Sequence, residues 1–291
     1  MTYLRHVLWP LFVVMMGGAG WTSTKHPFCS CGDSATEGVM GAAVMTLPAN
    51  AQGLIWISSI EPDSLPSPLL EMRLRVGTGL IDQHLVFERI AEDRWVVTPE
   101  GGFERDGTYI LTDHARLVIV GEIPEDLEDW ADVLSPTEME VRVDGRYIEA
   151  TDLSQITALV GVPRVEQVSV PAGIVCSEDV PGIVLEARAR LPMELASFKE
   201  YLHYETLVDG SPFVHRRSSC DRPVRGQPSH GPARAKLFAL CGEHERYLPY
   251  SSGGLDPGTH RLAFRVWLPA TDIEFVTEEV EFELDTSACP D

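Results

Sequence analysis

The chain is 291 residues long, 44% hydrophobic and 23% charged, enough apolar material for one large domain or two ordinary ones with buried cores, and too much for a disordered tail. Lys and Arg number 23 against 44 Asp and Glu, a formal charge of -21 at pH 7. That balance excludes general binding to nucleic-acid phosphates, an affinity that comes from neutralising them with cations, and for the same reason it disfavours docking on an anionic membrane surface.

Residues 1–20 read as a secretory signal peptide. Arg5 and His6 form the basic start, residues 7–16 the apolar stretch, and Gly17, Gly18, Ala19 and Gly20 the small residues a signal peptidase accepts. The apolar run is shorter than the ~20 residues of a bilayer-spanning helix, and no later stretch is long and apolar enough to span. An exported protein, periplasmic, cell-surface or extracellular, is expected. Residues 21–40 hold Cys29-Ser30-Cys31 with His26 nearby, three soft ligands without the paired spacing of a closed zinc site, so no metal is expected there.

From residue 41 onward the pattern is period-two alternation, the mark of strands with one face on a core and one in water. Leu70, Met72, Leu74 and Val76 alternate with Glu71, Arg73 and Arg75, and Met139, Val141 and Val143 with Glu138, Glu140 and Arg142. Leu185, Ala187, Ala189 and Leu191 alternate with Glu186, Arg188 and Arg190, and Val280, Phe282 and Leu284 with Glu279, Glu281 and Glu283. Shorter strands are predicted at 54–57, 85–90, 95–98, 109–112, 116–120, 165–170, 201–208, 235–241 and 261–267. Turn residues punctuate them, among them Gly101-Gly102, Asp106-Gly107, Asp144-Gly145 and Asp209-Gly210. Helix is scarce: residues 124–132 read either as one or two turns or as a solvated acidic loop, and residues 151–160 as a short helix near Asp152 or simply the interdomain connection. Many short strands without long helices between them predict an all-β sandwich architecture.

An internal echo divides the chain. Gly107-Thr108-Tyr109-Ile110-Leu111 precedes the alternating strand at 137–143, and Gly258-Thr259-His260-Arg261-Leu262 precedes the one at 280–284. Two tandem antiparallel sandwiches are predicted, at 41–150 and 163–291, joined by a linker at 151–162. Leu47-Pro48-Ala49-Asn50 ahead of an apolar strand, with Gly107-Thr108-Tyr109 leading into a late strand, resembles the bacterial Ig-like modules of secreted and envelope proteins, in which a Pro-x-Asn opening and a Gly-x-Tyr penultimate strand recur. Residues 41–146 carry the resemblance best, and the second half is similar to a generic fibronectin-III or Ig-like sandwich. The resemblance implies adhesion, spacing or ligand presentation rather than catalysis. The first half has no Cys pair, which excludes the antibody-type version.

Six cysteines, an even number in a chain predicted to be exported, point to disulfides. Cys220 and Cys241 flank a Pro- and Gly-rich stretch and are expected to staple it. The resemblance implies first and last strands side by side, which pairs Cys176 with Cys289 and leaves Cys29 with Cys31 by elimination; a Cys-x-Cys bridge closes a tight, strained ring, so the alternatives there are a bond from either to another cysteine or a reduced thiol. Residues 215–246 carry seven bases and three acids and so stand out as basic in an acidic chain. Arg216, Arg217, Arg222, Arg225, Arg234 and Lys236 are therefore the candidate contacts for an anionic polymer or an acidic protein surface, including the acidic first domain of the same protein. The plainer reading is a solvated loop whose arginines pair locally.

No Gly-x-Ser-x-Gly elbow, His-Glu-x-x-His, Walker loop, dinucleotide fingerprint or EF-hand loop occurs in the sequence, and no cofactor is expected. The leading expectation is a non-enzymatic exported binding or structural module. A periplasmic metal-handling protein using Cys29, Cys31 and His26, and a hydrolase with an unrecognised site, are the alternatives.

Overall fold

The structure is a computed structural model and describes residues 38–39, 44–57, 62, 70–91, 94–113, 137–172, 176–213, 233–242 and 254–290. The expected strand at 116–120, the helix-or-loop segment at 124–132 and the Cys29–Cys31 segment lie outside the described residues. The fold is all-β, built of several largely antiparallel sheets.

The N-terminal half contributes two sheets. Strands β1 (Gly38–Val39), β3 (Leu54–Ile57), β6 (Leu85–Ala91) and β7 (Arg94–Pro99) form sheet A in the order β1-β3-β7-β6. Strands β2 (Val44–Leu47), β4 (Leu70–Val76), β5 (Gly79–Gln83), β8 (Thr108–Asp113) and β9 (Thr137–Val143) form sheet B in the order β2-β9-β8-β4-β5. Alternation in β4, β8 and β9 sends Leu70, Met72, Leu74, Tyr109, Leu111, Met139 and Val141 into one buried cluster with Leu54, Trp56 and Val97 of sheet A. β2 runs parallel to β9, so the expected purely antiparallel arrangement is corrected at this pair. The chain enters along the strand that closes the half, and four residues cannot show that direction in their own pattern. β1 falls in the stretch assigned to the N-terminal cysteine segment and joins sheet A through β3.

The C-terminal half contributes two more sheets. Strands β10 (Thr157–Val160), β11 (Arg164–Ala172), β12 (Cys176–Arg190) and β15 (Arg234–Leu240) form sheet C, with β12 at its centre. β10 and β11 both lie on the edge of β12 opposite β15, because each overlaps β15 in register on β12, and the chain kinks between them at Gly161-Val162-Pro163. Strands β13 (His203–Val208), β14 (Ser211–Pro212), β16 (Gly258–Trp267), β17 (Glu274–Val276) and β18 (Val280–Leu284) form sheet D, with β13 on one edge of β16 and β17 and β18 on the other. The β13–β14 hairpin turns on Asp209 and Gly210, with φ of 51° and 75°, the two positive values that a tight hairpin turn requires and Asp-Gly supplies. Ile183, Leu185, Ala187, Leu237 and Ala239 of sheet C share a buried cluster with Tyr204, Leu262, Phe264, Val266 and Phe282 of sheet D.

The segment 151–162, expected as a linker, is structured. Helix α1 (Ala150–Leu153) opens with a capping box in which Asp152 reaches back 2.9 Å to the backbone N–H of Glu149, and Leu153, Ile156 and Ala158 are buried. β10 lies inside the same segment and belongs to sheet C. The cores of the two halves therefore run together through Ile148, Leu153, Ile156, Leu195, Phe198 and Tyr201. Tyr201 seals the junction: its hydroxyl donates a buried 2.8 Å hydrogen bond to the Gly53 carbonyl. Gly53 has no room for a side chain, since a Cβ there would sit 2.3 Å from Val96 Cγ1. The Leu47-Pro48-Ala49-Asn50 opening also serves the junction, with the Asn50 amide pairing in both directions with the backbone of Ile148, at 2.8 and 3.0 Å.

The disulfide found is Cys241–Cys289, with the Cα atoms 5.6 Å apart, inside the ~4.4–6.8 Å span a bridge allows. This corrects the expected Cys220–Cys241 and Cys176–Cys289 pairs. Cys241 follows β15 and Cys289 follows β18, so the bond ties sheet C to the end of the chain beyond sheet D. A staple inferred from neighbours in sequence could not anticipate a partner supplied by the segment that follows the last strand of the other sheet. Cys29, Cys31 and Cys220 lie outside the described residues, and Cys176 opens β12.

Candidate functional site

The outward face of sheet C changes character along its length. Residues directly opposite in an antiparallel pair share a face, so the registers place Val168, Val180, Val184 and Phe238 together on the side away from the main core. They form a second buried cluster there with Val170, and Phe213 packs edge-to-face on Phe238 at 6.3 Å between ring centroids.

One step along the strands the face becomes charged and balanced. Glu186 stands opposite Lys236, and Arg164 pairs with Glu186 at 3.2 Å and with Glu166. Lys236 reaches Glu166 at 3.1 Å. The Lys236 ammonium, then the Arg164 guanidinium, hold the Glu166 carboxyl below its ordinary range, against a smaller upward push from burial. Two bases and two acids close on one another in this row.

A further step along, the balance stops. Arg188 on β12 stands directly opposite Arg234 on β15, and Arg190 follows two positions later on the same face. All three are exposed, and among the described residues no hydrogen bond, ion pair or ring contact engages their side chains. Like charges directly opposite on neighbouring strands destabilise a sheet, and in the adjoining row Glu166 and Glu186 are committed to Arg164 and Lys236. On the other side of β12 the same face carries Leu159 opposite Arg188 and Thr157 opposite Arg190.

Of the six residues named from sequence as partner contacts, Arg234 and Lys236 are described and Arg216, Arg217, Arg222 and Arg225 are not. Lys236 pairs locally, as the plainer reading held, whereas Arg234 has no such partner among the described residues. Arg188 and Arg190 were missed as contacts because in sequence they are ordinary outward positions of an alternating strand. The available signal was that both outward positions at the end of that strand are arginine where its other outward residue, Glu186, is acidic.

A second polar cluster lies on the outer side of sheet D. Arg265 sits over the Trp267 ring at 5.8 Å, Trp267 meets His203 edge-to-face at 5.6 Å, and Arg265 bridges Glu274 and Glu205, the latter at 3.8 Å. Burial raises the Glu205 carboxyl above its ordinary range and Arg265 pulls the other way. In this cluster one guanidinium lies between two carboxylates, so it leaves no cation over for an external anion. Among the described residues no group of three or more His, Cys, Asp or Glu side chains is placed to hold a metal ion, and no helix is long and apolar enough to cross a membrane.

No protein-family model matches the chain, and the comparison with curated proteins finds no significant match.

Proposed function

We propose that this protein is an exported, non-enzymatic binding module of two tandem Ig-like sandwiches, with its contact face on the arginine end of sheet C. The observation that carries the binding role is the row of Arg188, Arg190 and Arg234, three exposed cations without partners among the described residues in a chain of formal charge -21. The repeat of strand order supports the tandem Ig-like reading: β5-β4-β8-β9 in one half and β14-β13-β16-β18 in the other. So does Tyr109, whose hydroxyl accepts a 2.7 Å hydrogen bond from the Glu104 backbone N–H, the tyrosine-corner geometry of Ig-like sandwiches. The Cys241–Cys289 pair supports an oxidising compartment.

The test is retention on immobilised polyanions. A protein this acidic is expected to flow through a cation-exchange matrix at pH 7, so retention that disappears in the triple variant R188Q/R190Q/R234Q identifies the face. Retention unchanged in that variant, or none in the parent, defeats the reading. Export is tested by fusing residues 1–40 to a reporter enzyme that folds only outside the bacterial cytoplasm.

A further inference from the structure

The three arginines are placed for a more specific ligand than a diffuse negative surface. Arg188 and Arg234 are register partners, so their Cβ atoms lie about 5 Å apart. Arg190 is on the same strand and face as Arg188, about 7 Å along it. Each guanidinium carries a planar fork of N–H donors and no acceptor. A carboxylate presents two oxygens in one plane, whereas a phosphate or sulfate ester presents three terminal oxygens around a tetrahedral centre and can engage forks that arrive from several directions at once.

The surroundings limit the ligand further. On one side the matched row of Arg164, Glu166, Glu186 and Lys236 is internally neutral and adds no free positive charge for an anionic chain extended in that direction. Flanking the arginines, Leu159 and Thr157 of β10 share the face and offer an apolar step and a hydroxyl. The site thus holds a local concentration of cations bounded by a neutral row, suited to one or two oxyanion groups rather than to a long polyanion laid across the sheet.

We infer that Arg188, Arg190 and Arg234 form a site for a tetrahedral oxyanion ester, phosphate or sulfate, carried on a polymer outside the cell. The inference rests on the binding-module reading and narrows it to a ligand class. The unfavourable opposition of Arg188 and Arg234 is relieved when an ester group lies between them, which makes occupancy of this site more favourable than ordinary screening at a surface arginine.

Affinity is measured by titration calorimetry on the full mature chain, at fixed ionic strength, with dextran sulfate, dextran phosphate monoester, polygalacturonate and neutral dextran as probes. Binding to dextran sulfate or dextran phosphate at least tenfold tighter than to polygalacturonate is expected, and which of the two binds better distinguishes a sulfate source from a phosphate source. R188Q/R234Q is expected to weaken the ester probe at least tenfold with a smaller salt dependence, while R142Q, in an ion pair on the other half, leaves it unchanged. R188K keeps the charge and loses the fork, and is expected to bring the ester probe down toward polygalacturonate. Thermal melting of each variant at or above the parent temperature establishes that it is folded. Equal affinity for polygalacturonate, lost in R188Q/R234Q, overturns the ester site and leaves the binding-module reading standing. Binding that is absent for every anion, or indifferent to R188Q/R234Q, overturns both.

Discussion

Tyr109 and His260 occupy the same place in the two halves. Each stands two residues after a glycine, at the start of the strand that pairs with the closing strand of its half, in Gly107-Thr108-Tyr109 and Gly258-Thr259-His260. Each ties that strand to the backbone just upstream: Tyr109 accepts from the Glu104 N–H, and His260 Nε2 lies 2.8 Å from the Asp256 carbonyl. The chemistry differs. The tyrosine is fully buried and neutral, its hydroxyl pushed up by burial, against a smaller pull from the Glu104 N–H. The histidine stacks near Phe282, and its other nitrogen, Nδ1, lies 2.7 Å from the Asp209 carboxylate. Both partners of the imidazole are acceptors, so both contacts are hydrogen bonds only when both nitrogens carry protons. The same structural task is thus done in one half by a group indifferent to pH near neutrality and in the other by a group that must be charged. The halves differ in closure as well, since the second adds the Cys241–Cys289 staple and the first a parallel strand pair.

The largest effect that sharpens this contrast is expected from the staple. Cys241→Ser or Cys289→Ser releases a constraint spanning 48 residues, worth about 4 kcal/mol on the chain-entropy model. Chemical denaturation followed through probes in each half should show the loss in the C-terminal half. An equal loss in both would mean that the continuous core at Ile148, Leu153 and Phe198 makes the chain a single cooperative unit, and the comparison of separate halves would fail.

The junction comes next. Tyr201→Phe leaves the buried Gly53 carbonyl without its partner, at a cost of about 1–3 kcal/mol, and is expected to loosen both halves together. Small-angle scattering of the parent protein at low and high salt should give the same interdomain geometry, because the junction is apolar and hydrogen-bonded rather than held by exposed ion pairs.

The corners themselves are compared by Tyr109→Phe and His260→Gln. The first costs about 1 kcal/mol and leaves the pH profile of stability as it was. For His260, burial pulls the imidazole down, but the Asp209 carboxylate and the Asp256 carbonyl together outweigh it and the net shift is upward. A group raised on folding contributes stability that is complete below its unfolded pKa of about 6.5 and is lost as pH rises through the higher folded value. Asp209 is held low by His260 first and by the Arg261 N–H second, so its contribution is lost only as pH falls through that lowered value. Stability of the C-terminal half should therefore decline from mildly acidic toward alkaline pH, and H260Q should flatten the decline. A parent profile flat from pH 6 to 8 would remove the distinction between the corners.

The smallest expected effect has the opposite sign. Arg188→Gln or Arg234→Gln relieves a like-charge pair and should stabilise by about 0.2–1 kcal/mol in the absence of ligand. On sheet B of the first half, where Arg73 meets Glu138 and Arg75 meets Glu140, the equivalent substitutions are expected to be neutral or mildly destabilising. Destabilisation by R234Q would show that this arginine has a structural partner and weaken the ligand argument.

The strands at 70–76 and 280–284 were legible to the residue, because alternation between core and water is a local property that a strand carries in its own side chains, and 54–57 was legible as a short, wholly apolar run. So was the hairpin turn at Asp209-Gly210, where two positive φ values need those residue types. The short strands β2, β5, β10, β14 and β17 were not legible, being two to five residues long and drawing their order from the neighbours they pair with. One of the three arginines of the candidate site was visible, since Arg234 stood out in the basic stretch; Arg188 and Arg190 did not.

By itself, then, the sequence determined the all-β class, the alternating faces of the long strands and the echo between the halves, all of which follow from side-chain chemistry at fixed short spacings. Only the tertiary structure decided that β2 runs parallel to β9, that Cys241 meets Cys289 rather than Cys220, and that Arg188 faces Arg234 while Lys236 finds Glu166. Those outcomes depend on register between segments far apart in the chain. A one-residue change of register would turn each side chain to the other face and give every charge a different neighbour.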